Sequence, residues 1–148
     1  MLQINKLTDY ATIILGFLAL NPEKTYSANS VAKQTSLTTP TVSKLLKLLA
    51  KYQLVTSFRG IEGGYQLARC SKAMTLADVI TAIEGNPAIT ECCVTKSCAL
   101  NSLCAIKDNW QLINKQIIAA LASITIHDMI RPLAKHSIAL RGIPIMVK

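Results

Sequence analysis

Three short amphipathic helices, a glycine-tipped hairpin, a cysteine-bearing segment and then a heptad-spaced helix follow one another along the sequence. That order predicts a mainly α fold with a small β-hairpin wing: a winged helix-turn-helix plus a long dimerisation helix. The expected division is 1–86 for the winged helix-turn-helix, 87–104 for a cysteine loop, and 105–148 for the dimerisation helix and C-terminal segment. With 148 residues, 51% hydrophobic and 16% charged, the chain can form one core and lacks the composition of a disordered protein.

Leu7, Ala11, Ile14, Leu15 and Leu18 recur at helical spacing, and Asn21-Pro22 ends that first helix. A short second helix fits Ala28–Thr35. Thr39-Pro40 supplies an N-cap and a proline at the first helical position for a third helix. That helix runs to about Tyr52 and buries Val42, Leu45, Leu46 and Leu49. Leu54–Phe58 and Tyr65–Leu67 read as strands joined through Arg59-Gly60-Ile61-Glu62-Gly63-Gly64. A fourth helix fits Thr75–Glu84, closed by Gly85 and stopped by Pro87, and residues 88–102 show no helical pattern.

Leu103, Ile106, Trp110, Ile113, Ile117, Ala120 and Ile124 then alternate at intervals of three and four. Such a seam is narrower than the stripe of a helix lying on its own core, and it seeks a partner helix. A homodimer through residues 103–124 is therefore expected. Thr125 and Asp128 form a capping pair that opens a last short helix reaching about Lys135.

The formal charge of +8 is uneven. Residues 1–70 carry +5, residues 71–110 carry −1 and residues 111–148 carry +4. A basic N-terminal half suits a phosphate-backbone partner, here double-stranded DNA. The apolar runs Ala11–Leu20 and Ile117–Ile126 are each ten residues long, half the roughly twenty that span a bilayer. Asp9 and a lone Lys6 precede the first run and no small-residue cleavage site follows it. The reading is a cytoplasmic protein without a membrane partner or targeting segment. Five cysteines in such a chain point to metal or redox chemistry rather than a disulfide framework.

On the third helix, Thr39, Thr41 and Ser43 are small hydroxyl side chains near the N-terminus, where the helix dipole draws phosphate. Lys44 and Lys47 add neutralising charge. Arg59, beside Gly60 where the hairpin turns, is placed to enter a minor groove. The competing reading makes the hydroxyls caps and the lysines a solvated face, in a module that binds protein and not DNA. Salt-dependent duplex binding separates the two.

Cys92, Cys98 and Cys104 are five residues apart in a segment without helical pattern, which allows a loop to wrap an inorganic cluster. The spacing lacks the Cys-x-x-Cys knuckles of structural zinc, although zinc and a metal-free thiol switch are the alternatives. Cys70 lies outside the loop and suits a small hydrophobe. A redox enzyme is disfavoured by the absence of Cys-x-x-Cys, of a glycine-rich cofactor fingerprint and of an acid–base pair.

Leu7-Thr8-Asp9-Tyr10-Ala11, Leu54-Val55 before Ser57-Phe58-Arg59-Gly60, and Gly63-Gly64-Tyr65-Gln66-Leu67 together resemble one bacterial family. It comprises the winged-helix regulators that include the iron–sulfur-assembly regulator IscR, its SUF-system relatives and the nitric-oxide sensor NsrR. The similarity covers about residues 1–134, and Arg-Gly-x-x-Gly-Gly-Tyr is its most distinctive part. The resemblance implies a recognition helix beginning near Thr39, a wing bearing Arg59, and a dimer held by the long helix after the cysteines. It also implies an iron–sulfur cluster, 2Fe–2S or 4Fe–4S, on Cys92, Cys98 and Cys104.

The fourth ligand departs from the assembly regulator, because Lys107 stands where that protein has histidine. Cys93 and Asp9 are the candidates, and the family's nitric-oxide sensors use an aspartate matching Asp9, donated by the other subunit. Asp9 is the preferred assignment. The implied function is a non-enzymatic, homodimeric transcription regulator of SUF-type iron–sulfur assembly genes, with a nitric-oxide-sensing repressor as the alternative.

Overall fold

The structure, a computed structural model, describes residues 4–94, 98 and 103–131. Helix α1 spans Lys6–Leu20 and starts where the Asn5 side chain accepts from the Leu7 N–H at 3.0 Å. Helix α2 (Ala28–Thr35) is capped by Ser27 and ends at Ser36, whose left-handed backbone turns the chain toward the next helix. Helix α3 (Thr39–Lys51) buries Val42, Leu45, Leu46 and Leu49 against α1 and α2. The N-cap of α3 is Thr38, not Thr39. Thr38 holds the extended backbone of a cap, while Thr39 and Pro40 lie in the first turn, where proline's missing N–H costs no helical bond.

Strands β1 (Val55–Phe58) and β2 (Gly64–Leu67) form an antiparallel hairpin with Val55 opposite Leu67 and Phe58 opposite Gly64. Gly64 thus belongs to the second strand and Arg59–Gly63 form the tip. Tyr26 anchors the hairpin to the helices: its N–H donates to the Tyr65 carbonyl at 2.9 Å and the Tyr65 N–H donates back at 2.8 Å. A Cβ on Gly64 would run into the Tyr26 carbonyl, so only glycine fits under this junction.

Helix α4 (Leu76–Glu84) opens with a reciprocal capping box between Thr75 and Asp78. One helical turn, α5 (Glu91–Val94), interrupts the segment in which no helix was expected. Helix α6 spans Lys107–Ser123 and α7 spans Ile126–Met129, the latter opened by the expected Thr125–Asp128 box. Backbone bonds from Leu76 N–H to the Ile124 carbonyl and from Ile126 N–H to the Met74 carbonyl tie the α6–α7 junction to the start of α4. The core is built around Ile14, Leu15, Leu45, Leu49, Val79 and Ile126, all fully buried.

Two expectations about the C-terminal half change. The long helix begins at Lys107, not Leu103, because Leu103 and Ile106 lie in the preceding turns with their side chains exposed. Its buried contact is Asn114, which accepts from the Ile89 N–H at 3.1 Å through Oδ1. Trp110 and Ile113 of the heptad seam point away from the domain, 37% and 44% exposed. Helix α7 ends at Met129, and the rest of the stretch expected to reach Lys135 lies from residue 132 outside the described residues.

Candidate nucleic-acid interface and cysteine segment

The helix-turn-helix offers its N-terminal end as a polar rim. The Thr38 and Thr41 hydroxyls are hydrogen-bonded to each other at 2.8 Å, and the Thr39 hydroxyl donates to Asn29 Oδ1 of α2 at 3.5 Å. Thr39, Lys44 and Lys47 are exposed, while Thr41 and Ser43 are half-buried. Lys44, Lys47 and Lys51 follow at helical spacing and so share a face, opposite the buried leucines. The exposed hydroxyls sit at the positive end of the helix dipole, where phosphate oxygens are best accommodated. Asn29 escaped the sequence reading. It lies in the first turn of α2, and only the packing of α2 on α3 brings it beside Thr39.

Arg59 and Gly60 are exposed at the hairpin tip. Gly60 has φ +115°, a backbone open to glycine and strained for other residues, and the Gly63 N–H donates to the Gly60 carbonyl at 3.0 Å to close the turn. Arg69, at the far end of the hairpin, is engaged with Asp78 at 2.9 Å and supports the α4 cap instead of facing a ligand. The Asp78 and Asp128 boxes share the same reciprocal hydrogen-bond pattern. In the second, the Thr125 hydroxyl, followed by the Thr125 backbone N–H, holds the Asp128 carboxyl below its ordinary value.

Helix α5 of the cysteine segment packs on α6. Cys92, Cys93, Cys98 and Cys104 are free thiols and half-buried, whereas Cys70 is free and exposed. Cys92 and Cys93 lie in α5, and both sulfurs sit within hydrogen-bond distance of the Thr90 hydroxyl, at 3.1 and 3.2 Å. Two contacts tie α5 to α6: the Cys93 thiol to the Trp110 carbonyl at 3.6 Å, and Gln111 Nε2 to the Cys92 carbonyl at 3.3 Å. Thr90 and Gln111 are further residues the sequence reading missed.

Asp9 is exposed in the first turn of α1. The adjoining Thr8 is buried, and its hydroxyl donates to the Glu84 carboxylate, which also accepts from the Asn5 N–H at 3.0 Å. Among the described residues, no three His, Cys, Asp or Glu side chains of one chain gather as a metal site. Four free, partly accessible thiols are nonetheless the donor set that cluster iron prefers.

The model of the Rrf2 family, described as an iron-dependent transcriptional regulator, matches residues 4–132. The chain belongs to the Rrf2 family. It is 30% identical over 109 residues to the transcriptional regulator NsrR of Halalkalibacterium halodurans, covering 72% of this chain and 75% of that protein. Among solved structures it resembles CymR, the global cysteine regulator of B. subtilis, with a TM-score of 0.67 and 28% identity over 88% of this chain and 97% of that one. IscR of T. potens gives the same TM-score and identity over 92% and 93% of the two chains. The winged-helix fold and the role in transcription regulation follow for this Rrf2 chain. No helix among the described residues is long and apolar enough to cross a membrane.

Proposed function

We propose that this Rrf2 regulator is a cytoplasmic homodimer that grips double-stranded operator DNA and changes its grip with the state of an iron–sulfur cluster. One observation carries the reading: an exposed Thr39–Lys44–Lys47 face and an exposed Arg59 wing share a domain with a separate segment of four free thiols. DNA contacts are assigned to Thr39, Thr41, Ser43, Lys44, Lys47, Arg59 and Gly60. The cluster is assigned to Cys92, Cys98 and Cys104, with Asp9 of the opposite subunit as fourth ligand. The exposure of Asp9 is in keeping with donation across a dimer. The exposed apolar face of α6 around Trp110 and Ile113 supports dimerisation. The functional division follows as 1–86 for reading DNA, 87–104 for the cluster and 105–148 for the dimer.

When bound, the cluster supplies redox and ligand-exchange chemistry. The chain's residues hold it and relay its loss through Asp9 to the reading head on α1–α3. SUF-type iron–sulfur assembly genes are the preferred targets. A nitric-oxide-responsive repressor is the second reading, favoured by the likeness to NsrR. The test is anaerobic purification with an absorption spectrum and an iron and sulfide count, followed by duplex binding across a salt series. A cluster together with a steep salt dependence supports the reading. A colourless, iron-free protein that binds DNA as tightly as any loaded form overturns the cluster, and a flat salt response overturns the DNA interface.

A further inference from the structure

We propose that Cys92 and Cys93, with Thr90 between their sulfurs, form in the cluster-free chain a two-thiol site for a trivalent arsenical, a soft thiophilic centre. The geometry is specific to this pair. One hydroxyl lies 3.1 Å from the first sulfur and 3.2 Å from the second, so both thiols converge on one point at the start of α5. Both residues are half-buried, which leaves the sulfurs reachable while shielding them from bulk thiols.

Direct oxidation to a disulfide is disfavoured for this pair. Adjacent Cα atoms are about 3.8 Å apart, whereas disulfides ordinarily need about 4.4–6.8 Å. A bridging atom relieves that restriction because it replaces the single S–S bond with two As–S bonds and enlarges the ring by one atom. Zinc is a poor occupant, since it asks for four ligands and no third His, Cys, Asp or Glu among the described residues joins the pair. Soft sulfur donors select soft centres instead.

With phenylarsine oxide the reaction balances without any redox partner. The two S–H bonds and the arsenic–oxygen double bond break, two As–S bonds form, and both protons leave with the oxygen as water. Arsenic remains trivalent. The consequence reaches α6, because the Cys93 thiol that contacts the Trp110 carbonyl at 3.6 Å loses its hydrogen. Trp110 is the chain's single tryptophan and reports the event directly.

The site shares Cys92 with the proposed cluster, but it also requires Cys93 and is examined in protein without iron, so its failure is distinguishable from failure of the cluster assignment. Full-length, reduced, cluster-free protein is titrated with phenylarsine oxide. Free thiols, intact mass and Trp110 fluorescence are followed, with far-UV circular dichroism as the check on folding. The parent is expected to lose two thiols per arsenical bound and to shift its fluorescence. Cys93→Ser and Cys92→Ser each leave a single anchoring thiol and should weaken binding about a hundredfold or more, the loss of a linked second contact. The double variant Cys98→Ser/Cys104→Ser, which cannot hold the proposed cluster, should keep the parent's affinity. Parent-like binding by a folded Cys93→Ser or Cys92→Ser variant overturns the proposal, as does loss of binding in the double variant.

Discussion

Replacing Gly64 by alanine tests how the wing is held and whether that hold matters for DNA. The new Cβ would meet the Tyr26 carbonyl oxygen and carbon and the Ser27 nitrogen, all of them backbone atoms with no rotamer to retreat to. Two outcomes compete. Keeping the junction leaves an overpacked contact that costs about 1–3 kcal/mol. Opening it forfeits the reciprocal Tyr26–Tyr65 bonds of 2.9 and 2.8 Å, worth about 0.5–1.5 kcal/mol each. The two routes are similar in cost, so Gly64→Ala should lose about 1–3 kcal/mol in urea unfolding. Gly64 pairs with Phe58, the neighbour of Arg59, so the shift is passed to the arginine at the tip. Affinity for a duplex selected from a random pool should fall in step with Arg59→Ala. In a double-mutant cycle the two losses should be less than additive, because a displaced wing has little arginine contact left to lose. The reasoning fails if Gly64→Ala unfolds like the parent, or if the two variants add fully in DNA binding.

Arg59→Ala alone should cost about 1–3 kcal/mol of duplex affinity, roughly a 5- to 150-fold loss, with melting unchanged; equal affinity at fixed salt refutes the wing assignment. Ile113→Glu should give a folded monomer in analytical ultracentrifugation. The side chain is already 44% exposed in one protomer, but two carboxylates facing each other across a symmetric interface cost several kcal/mol. A dimeric Ile113→Glu protein shows that the exposed seam is not the interface. Asp9→Ala, loaded with cluster anaerobically, should change the absorption spectrum and nitric-oxide reactivity while Cys93→Ala should not, and the opposite pattern makes Cys93 the fourth ligand. Asp128 is held below its ordinary value of 3.8 by Thr125, so its stabilisation is present above that pH and is lost as pH falls through the folded value. The stability gap between parent and Asp128→Ala should therefore be present at neutral pH and close in strong acid, and a gap independent of pH refutes that origin.

What the sequence determined by itself is whatever acts within about one helical turn or one hairpin. The cap of α7 is legible because Thr125 and Asp128 satisfy each other three residues apart. The buried leucines of α3 are legible from periodicity, and the turn at Gly60 from its glycines. The thiols are legible as a set because no fold is needed to count their spacing. Tertiary structure decided the rest, through contacts between residues far apart in the chain. Periodicity showed that α6 has an apolar seam, but the packing of Asn114 on Ile89, 25 residues away, goes with an outward-facing Trp110 and Ile113 while Ile117 and Ile124 are half-buried. The Thr8–Glu84 bond, which ties the start of α1 to the end of α4, spans 76 residues and leaves no trace in local pattern. Asn29 reaches Thr39, and Tyr26 reaches Tyr65, only because the packed core brings their backbones together. Spacing encodes which face a side chain occupies on its own element, whereas the neighbour that meets that face is chosen by the packing of the whole core.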